Sequence, residues 1–549
     1  MERWISVLGL FVMIFLAWCM SSHRSRVNWR LVVIGVGLQL VFGVLVLKTK
    51  PGMLFFDFLG GLFDKILNNV DVGAKFVFGD SYMEHPFAFR VLPTIILFSA
   101  LMSILYHVGV MQVIVRWLAV IMQKTLGTSG AESLSTAANI FVGQTEAPLV
   151  IKPYVATMTQ SELMAIMVGG FATIAGGVLA AFVSMGINAG DLMTASVMAA
   201  PATIVIAKIV QPEVEEPLTR GSVKLDVEKT ADNVVHAAAN GASEGVQLAI
   251  NVAGMLLAFL AIVAMFNGVI GWTGEWFGYL GKDIWTLEKG LGYVFFPMAW
   301  VMGIPSDDCE RMGQLLGIRL IASEFQSYSQ LALWMDPEAI DYKPFQPRSI
   351  ALITYALCGF ATFASIGIQI GGIGPSAPKR VGDIAKLGFC AMLAGNLASF
   401  MTACVAGMLL SDADFAVRAD ETRIQQDKNK RELQQKLEKE GAEQLKKLVN
   451  GIKFLNDPDV RELNDEQKAS ITKDREALRK LLQEAQGAWE KSVPPLPKGE
   501  SPKLPDSPPP PVPPADFKSS RNAPMRGETF AARRFRFASL PPPINVAAA

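Results

Sequence analysis

The string Asn139-Ile-Phe-Val-Gly-Gln-Thr-Glu-Ala-Pro148 places an amide, a hydroxyl and a carboxylate side by side inside a strongly apolar part of the chain. An ionised carboxylate near the centre of a bilayer costs about 2.5 to 3.5 kcal/mol, so Glu146 is expected to face protein, water or a ligand. Gly143 and Pro148 break the helix that would carry it, and irregular backbone at membrane depth is tolerated only where it is buried or lines a cavity. A broken helix with polar groups at mid-membrane is the arrangement by which transporters hold substrates and ions. Ser323-Glu324 is a second polar pair in an apolar, glycine-punctuated stretch.

Other chemistry finds little footing. The four histidines (His23, His85, His107, His236) are scattered. There is no nucleophile–base pair, no metal-ligand constellation and no phosphate loop, so an enzyme is not expected. The five cysteines include no CxxC pair and read as packing residues. A formal net charge of zero points to no particular partner, and no nucleic-acid partner is expected.

The 549 residues are 51% hydrophobic and 18% charged, with mean hydropathy +0.32, but the charge is unevenly spread. Up to about residue 411 the chain is apolar. Continuous apolar runs at about 4–20, 31–47, 91–113, 161–188, 192–210, 247–271, 348–372 and 384–410 each approach the 20 residues a bilayer needs, giving roughly eight spanning helices. The first is read as a retained helix rather than a signal peptide, because its start is barely basic and no small-residue cleavage site follows. Arg24, Arg26 and Arg30 then argue for a cytoplasmic first loop, with both termini outside. Segments 129–158 and 303–338 are apolar but punctuated and read as re-entrant hairpins with Glu146 and Glu324 at their tips. Their similar flanks suggest one unit used twice, entering from opposite faces. Residues 54–70 have the spacing of an amphipathic helix on the membrane surface, or else of a buried one. The expected organisation is membrane helices and interfacial helix over 1–90, a core with two inverted repeats over 91–411, a soluble charged helical tail over 412–492, and a Pro-rich disordered tail over 493–549. The fold class is therefore all-α and polytopic.

Several strings occur in order: Gly143-Gln-Thr-Glu-Ala-Pro148, Gly170-Phe-Ala-Thr-Ile-Ala-Gly176, Phe296-Pro-Met-Ala-Trp-Val-Met-Gly-Ile-Pro305, Ser323-Glu-Phe325 with Tyr328, Cys358-Gly-Phe-Ala361 with Phe363 and Ser365-Ile-Gly-Ile368, and Gly395-Asn-Leu-Ala-Ser399. Over roughly residues 30–411 the chain resembles the concentrative nucleoside transporters. The resemblance implies a secondary active importer of nucleosides in the inner cell membrane, a homotrimer in which a transport part moves past a scaffold in alternating access.

It also implies site residues. The nucleobase would meet Gln144, Thr145, Glu146 and Val178; an amide both donates and accepts along a base edge, and a carboxylate accepts from N–H. The ribose would meet Glu324, Phe360, Thr362 and Ser365. The coupling cation, sodium in many members and a proton in some, would be held by Asn139, Val142, Thr173 and Ile174, whose hard, neutral oxygens suit a small cation. Thr362 stands where the family has asparagine and Gly177 where it commonly has serine. Plainer roles compete: tip capping for Gln144 and Thr145, an ion pair with Lys152 for Glu146, back-bonding to i−4 carbonyls for Thr362 and Ser365, core packing for Phe360, and close helix packing for the glycine pairs. Two other functions remain open: the same fold retuned to nucleobases or modified nucleosides, and a membrane sensor whose tail is the output.

Overall fold

The computed structural model describes residues 2–79, 82, 87–220, 231–276, 286–335 and 343–417. The chain separates into Met1–Glu440 and Gly441–Ala549, and every described residue belongs to the first unit. Of the expected charged helical tail over 412–492, residues from 418 on lie outside the described residues, as does the Pro-rich tail over 493–549.

All regular elements among the described residues are helical. α1 (Glu2–Cys19) and α2 (Trp29–Lys48) are apolar throughout, and Asn28 caps α2 by accepting from the Leu31 N–H at 3.2 Å. α3 (Lys50–Phe78) is the expected amphipathic helix, longer than 54–70, with Leu54, Phe58 and Phe76 exposed. α4 (Leu92–Val108) ends at Gly109, whose φ of +94° turns the chain into α5 (Val110–Leu126), so the run expected over 91–113 spans only as far as Val108.

The first hairpin segment follows as α6 (Gly130–Ala138), an irregular tip, a short 3-10 turn over Ala147–Ile151, and α7 (Lys152–Val155). Ser129 and Glu132 open α6 with a reciprocal capping box, and Thr159 and Glu162 do the same for α8 (Gln160–Ala172). The apolar run of 161–188 is broken: Thr173 and Ala175 are extended, and α9 (Gly176–Ser184) restarts beyond them. α10 (Ala189–Val210) and the 43-residue α11 (Val234–Trp276) complete the first half.

α12 (Leu287–Val301), an element not expected from the sequence, leads into a second helical pair, α13 (Ser306–Ile321) and α14 (Glu324–Trp334), inside the expected 303–338. The run of 348–372 is not one helix. It divides into α15 (Pro347–Leu357) and α16 (Phe363–Ile373), separated by Cys358–Thr362, and α17 (Val381–Leu409) follows. Seven helical stretches among the described residues are long and apolar enough to cross a membrane: Glu2–Cys19, Trp29–Lys48, Ala88–Val108, Gln160–Ser184, Ala189–Val210, Val234–Thr273 and Pro378–Leu409. The α15–α16 stretch, expected as an eighth, is divided into two helices of 11 residues, each too short to be one of these seven.

Both halves thus run helical pair, broken helix, long helix. α8, α10 and α17 are buried through most of their length, whereas α1, α2, α4 and α11 present most of their surface outward. The two breaks meet at the centre. Gly359 has φ +137°, and a Cβ there would lie 2.5 Å from Phe171 O and 2.9 Å from Ala172 C, so only glycine lets the second broken helix rest on the first. Residues 412–417 pack back on the same body: Phe415 is buried with the Arg348 guanidinium 5.0 Å from its ring centroid, and Asp414 pairs with Lys48.

Candidate binding site and cation site

The tip of the first helical pair meets α16. Gln369 Nε2 donates to Gln144 Oε1 at 3.2 Å and to Met167 O at 3.0 Å, and both glutamine side chains are buried. Gly170 makes room for them, since a Cβ there would come 2.7 Å from Gln369 Nε2 and 2.8 Å from Gln144 Cβ. Thr145 packs against Gly372. Gln144 is therefore held through its Oε1 by a neighbouring amide.

Ser365 lies one turn before Gln369, both buried on α16. Thr362 is the N-cap of that helix: its Oγ1 accepts from the Ser365 N–H at 3.2 Å and lies 3.0 Å from Ser365 Oγ. The expected alternative of back-bonding to i−4 carbonyls is thus replaced by capping. Phe360 is half-buried against the core.

On the other side, Val178 is buried in α9 one turn before Phe182, which packs on Phe325 at 5.6 Å and Tyr328 at 4.3 Å. These contacts bring α9 against the first turn of α14, where Glu324 is buried. Gln144, Thr145, Thr362 and Ser365 are thus joined through α16, and Val178 and Glu324 through the aromatic cluster. Glu146 is placed differently. It is exposed, its carboxylate folded over its own tip so that a Cβ on Gly143 would be 2.2 Å from Oε2, within electrostatic reach of Tyr106 of α4 and Glu244 of α11. No ion pair joins it to Lys152 among the described residues; Lys152 is exposed.

The first break is a distinct environment. Asn139 ends α6 fully buried, and neither Oδ1 nor Nδ2 has a hydrogen-bond partner; Ser135 Oγ, Thr136 Oγ1 and Thr203 Oγ1 are also buried without one. Asn139 lies beside Gly169, where a Cβ would be 2.9 Å from Nδ2. Thr173 donates its hydroxyl to Gly169 O at 2.8 Å, which leaves its own lone pairs open. The carbonyls of Val142, Thr173 and Ile174 accept no hydrogen bond among the described residues. Buried oxygen acceptors are rarely left empty-handed. A set of neutral oxygens gathered at a helix C-terminus fits a small hard cation.

Two residues at the site were not anticipated. Gln369 is the one amide in a largely apolar α16, and Arg319 is a wholly buried arginine in the apolar last turns of α13. A single polar residue in an apolar run was the available signal for each. A buried ionic lock also escaped notice: Lys208 of α10 pairs with Glu132 at 2.7 Å and Glu213 at 3.0 Å and donates to Ser161 at 3.0 Å, tying the base of the first helical pair to α8 and α10.

Paired, polar-tipped helices preceding two broken membrane helices, with a polar site between them, define a membrane transporter built on a repeated unit. The Na+ dependent nucleoside transporter N-terminus matches residues 8–81, the nucleoside recognition domain residues 88–189, and the Na+ dependent nucleoside transporter C-terminus residues 191–407. Solute carrier family 28 member 3 of Eptatretus stoutii is 43% identical over 414 residues, covering 74% of this chain and 60% of that protein. Sodium/nucleoside cotransporter 2 of Rattus norvegicus is 41% identical over 417 residues, covering 74% and 63%. The chain thus spans about 60% of the length of the curated relatives it matches. Among solved structures, CNTnw in an inward-facing substrate-bound state is 42% identical with a TM-score of 0.69, over 74% of this chain and 98% of that one. A doubly substituted CNTnw in an outward-facing state is 40% identical with the same TM-score and coverage. The chain belongs to the concentrative nucleoside transporter family and is a multi-pass membrane protein, not an enzyme.

Proposed function

We propose that this protein imports nucleosides by symport with sodium. The observation that carries the reading is the pairing of two unlike sites around the crossed breaks: a polar pocket of hydrogen-bonding side chains, and beside it a buried group of neutral oxygens around an unpartnered Asn139 amide. Gln144, Thr145 and Val178 contact the base, and Glu146, exposed at the same tip in this structure, turns in to meet it; Glu324, Phe360, Thr362 and Ser365 contact the sugar. Leaving a base edge unmatched in such a dry site costs about 1 to 3 kcal/mol, which sets selectivity. Asn139, Val142, Thr173 and Ile174 hold the cation, whose charge would draw α6 and the α8–α9 break together and so shape the neighbouring pocket. A proton could couple only through a titrating group, and the cage itself has none, so sodium is favoured.

The two helical pairs act as oppositely oriented re-entrant hairpins in a transport part that moves in alternating access past a scaffold containing α4 and α11. Exposed apolar residues on α11, among them Ile250, Leu257 and Met265, supply a face for lipid and for the other members of a homotrimer. Both termini lie outside. Residues from 418 on form a tail dispensable for transport. A second reading, transport of nucleobases or modified nucleosides, is favoured only by Thr362, which offers one hydroxyl where the family offers an amide.

The test is binding to the purified protein: uridine should raise its melting temperature in sodium and much less in choline. Glu146→Gln, with shape kept and charge removed, should weaken uridine binding at least tenfold, about 1.4 kcal/mol. Stabilisation by free bases but not by any nucleoside would favour the second reading, and none by either class would refute both.

A further inference from the structure

The two halves of the fold meet the carbonyls at their breaks differently. In the first, Met167 O and Gly169 O accept from side chains, but the carbonyls of Val142, Thr173 and Ile174 are open and the Asn139 amide is unpartnered. In the second, four carbonyls of α15 and the break are met by side-chain donors. Thr354 O accepts from the Tyr328 hydroxyl at 2.7 Å, Cys358 O from Ser399 Oγ at 2.8 Å, Ala361 O from Asn396 Nδ2 at 3.0 Å, and Ala356 O from Arg319 Nη1. Arg319 sits on the last turn of α13, the first helix of its pair, as Asn139 caps α6, the first helix of the other.

Arg319 is wholly buried, yet no carboxylate lies within ion-pair distance of it among the described residues. Its Nη2 donates to Ser399 Oγ at 3.3 Å, its Nε has no partner, and the Phe400 ring centroid is 6.0 Å from Cζ. A guanidinium taken out of water without a counter-ion is strongly disfavoured unless other groups compensate. Here the compensation comes from the C-terminal end of α15, where helix carbonyls carry partial negative charge, and from the more distant Glu324. These are the features of a cation site, with the cation supplied by the chain.

We propose that Arg319 is a tethered cation, filling in the second half the role that a sodium ion fills in the first, so that the repeat is completed by one bound ion and not two. The inference rests on the cation site proposed above. It has two consequences. Coupling is one sodium per nucleoside, and the moving part carries a fixed positive charge near Glu324 whether or not sodium is bound.

The experiment uses the full chain in liposomes, with radiolabelled sodium and uridine fluxes measured in parallel. The expected wild-type ratio is one; a ratio of two overturns the proposal. Arg319→Ala should lose at least nine-tenths of uptake. Millimolar guanidinium ion should restore it severalfold and raise that variant's melting temperature, whereas urea, of the same shape without the charge, should do neither. Equal rescue by urea, or full activity with no additive, shows that Arg319 only fills space. Arg319→Lys, which keeps a cation, should retain the flux ratio; its loss counts against the proposal. If Arg319→Ala does not fold, the wild-type ratio decides. Absence of any sodium-dependent uridine flux in the wild type would sink the underlying reading instead, and the guanidinium-specific stabilisation of Arg319→Ala would still test the role of Arg319.

Discussion

Gln369→Leu removes two hydrogen bonds, one of which holds the Gln144 amide, while nearly preserving side-chain volume. Gln369 Nε2 donates at 3.2 Å to Gln144 Oε1 and at 3.0 Å to Met167 O, and all three groups lie in buried surroundings. Leucine leaves Gln144 Oε1 without its donor, while Met167 O keeps its helical partner within α8, so the folded protein should lose about 1 to 3 kcal/mol. Binding loses separately, because the freed Gln144 must be reoriented before it meets a base. If one hydrogen bond of about 0.5 to 1.5 kcal/mol is forfeited, apparent uridine affinity falls roughly two- to tenfold. The half-saturating sodium concentration measured at saturating uridine should stay near wild type, because the Asn139 cage contains neither glutamine. Uptake into liposomes, titrated in uridine and then in sodium, separates the two effects, and a melting curve reports the stability loss. Unchanged uridine affinity in a normally folded variant, or a shift confined to sodium, would refute the argument. Gly170→Ala provides an independent check, as its Cβ would push on both glutamines from the α8 side.

Three further outcomes are expected. Thr362→Asn keeps the cap on α16, since asparagine caps at least as well as threonine, and adds an amide toward the sugar; ribonucleoside uptake should improve about two- to tenfold over 2'-deoxy analogues, as read by competition. Gly359→Ala should abolish normal folding or expression, because φ +137° is strained for alanine and its Cβ would meet Phe171 O at 2.5 Å; a wild-type melting temperature would contradict the close approach of the two breaks. Burial alone would raise the Asp414 carboxyl, but hydrogen bonds from Lys48 and Ser411 outweigh it and hold it at about 2. A depressed carboxylate pKa stabilises above its unfolded value and loses that stabilisation as pH falls toward the folded one. The melting-temperature gap between wild type and Asp414→Asn should therefore be present at pH 7 and shrink between about pH 4 and pH 2, and a gap independent of pH would show that Asp414 acts otherwise.

The long apolar helices were legible from hydropathy, because a bilayer imposes both length and composition on them. The breaks were less so. Thr173–Ala175 and Cys358–Thr362 carry neither proline nor charge, and a hydropathy window passes over a few extended residues whose polar groups are the backbone itself. The glycine pairs near the first break hinted at unwinding there, but nothing comparable marked 348–372, which read as one span. α12 escaped because its Gly290, Gly292 and Pro297 dilute the helical pattern. At the site, Gln144 and Thr362 were visible as types but not as partners: that one is held by Gln369 across more than two hundred residues, and that the other caps α16, are facts of tertiary placement. Arg319 was passed over because an arginine near the end of a helical segment reads as a solvated terminus until its burial is known.

We propose that the Asn139 cage binds a cation whose entry drives nucleoside transport. The direct measurement is uridine uptake by the full chain in liposomes under an inward sodium gradient and, separately, an inward proton gradient, for wild type and Asn139→Ala. The account predicts concentrative uptake with sodium alone, and in Asn139→Ala a half-saturating sodium concentration raised at least tenfold, about 1.4 kcal/mol of lost binding. Uptake driven equally by protons without sodium, or an Asn139→Ala variant with wild-type sodium dependence, would contradict it.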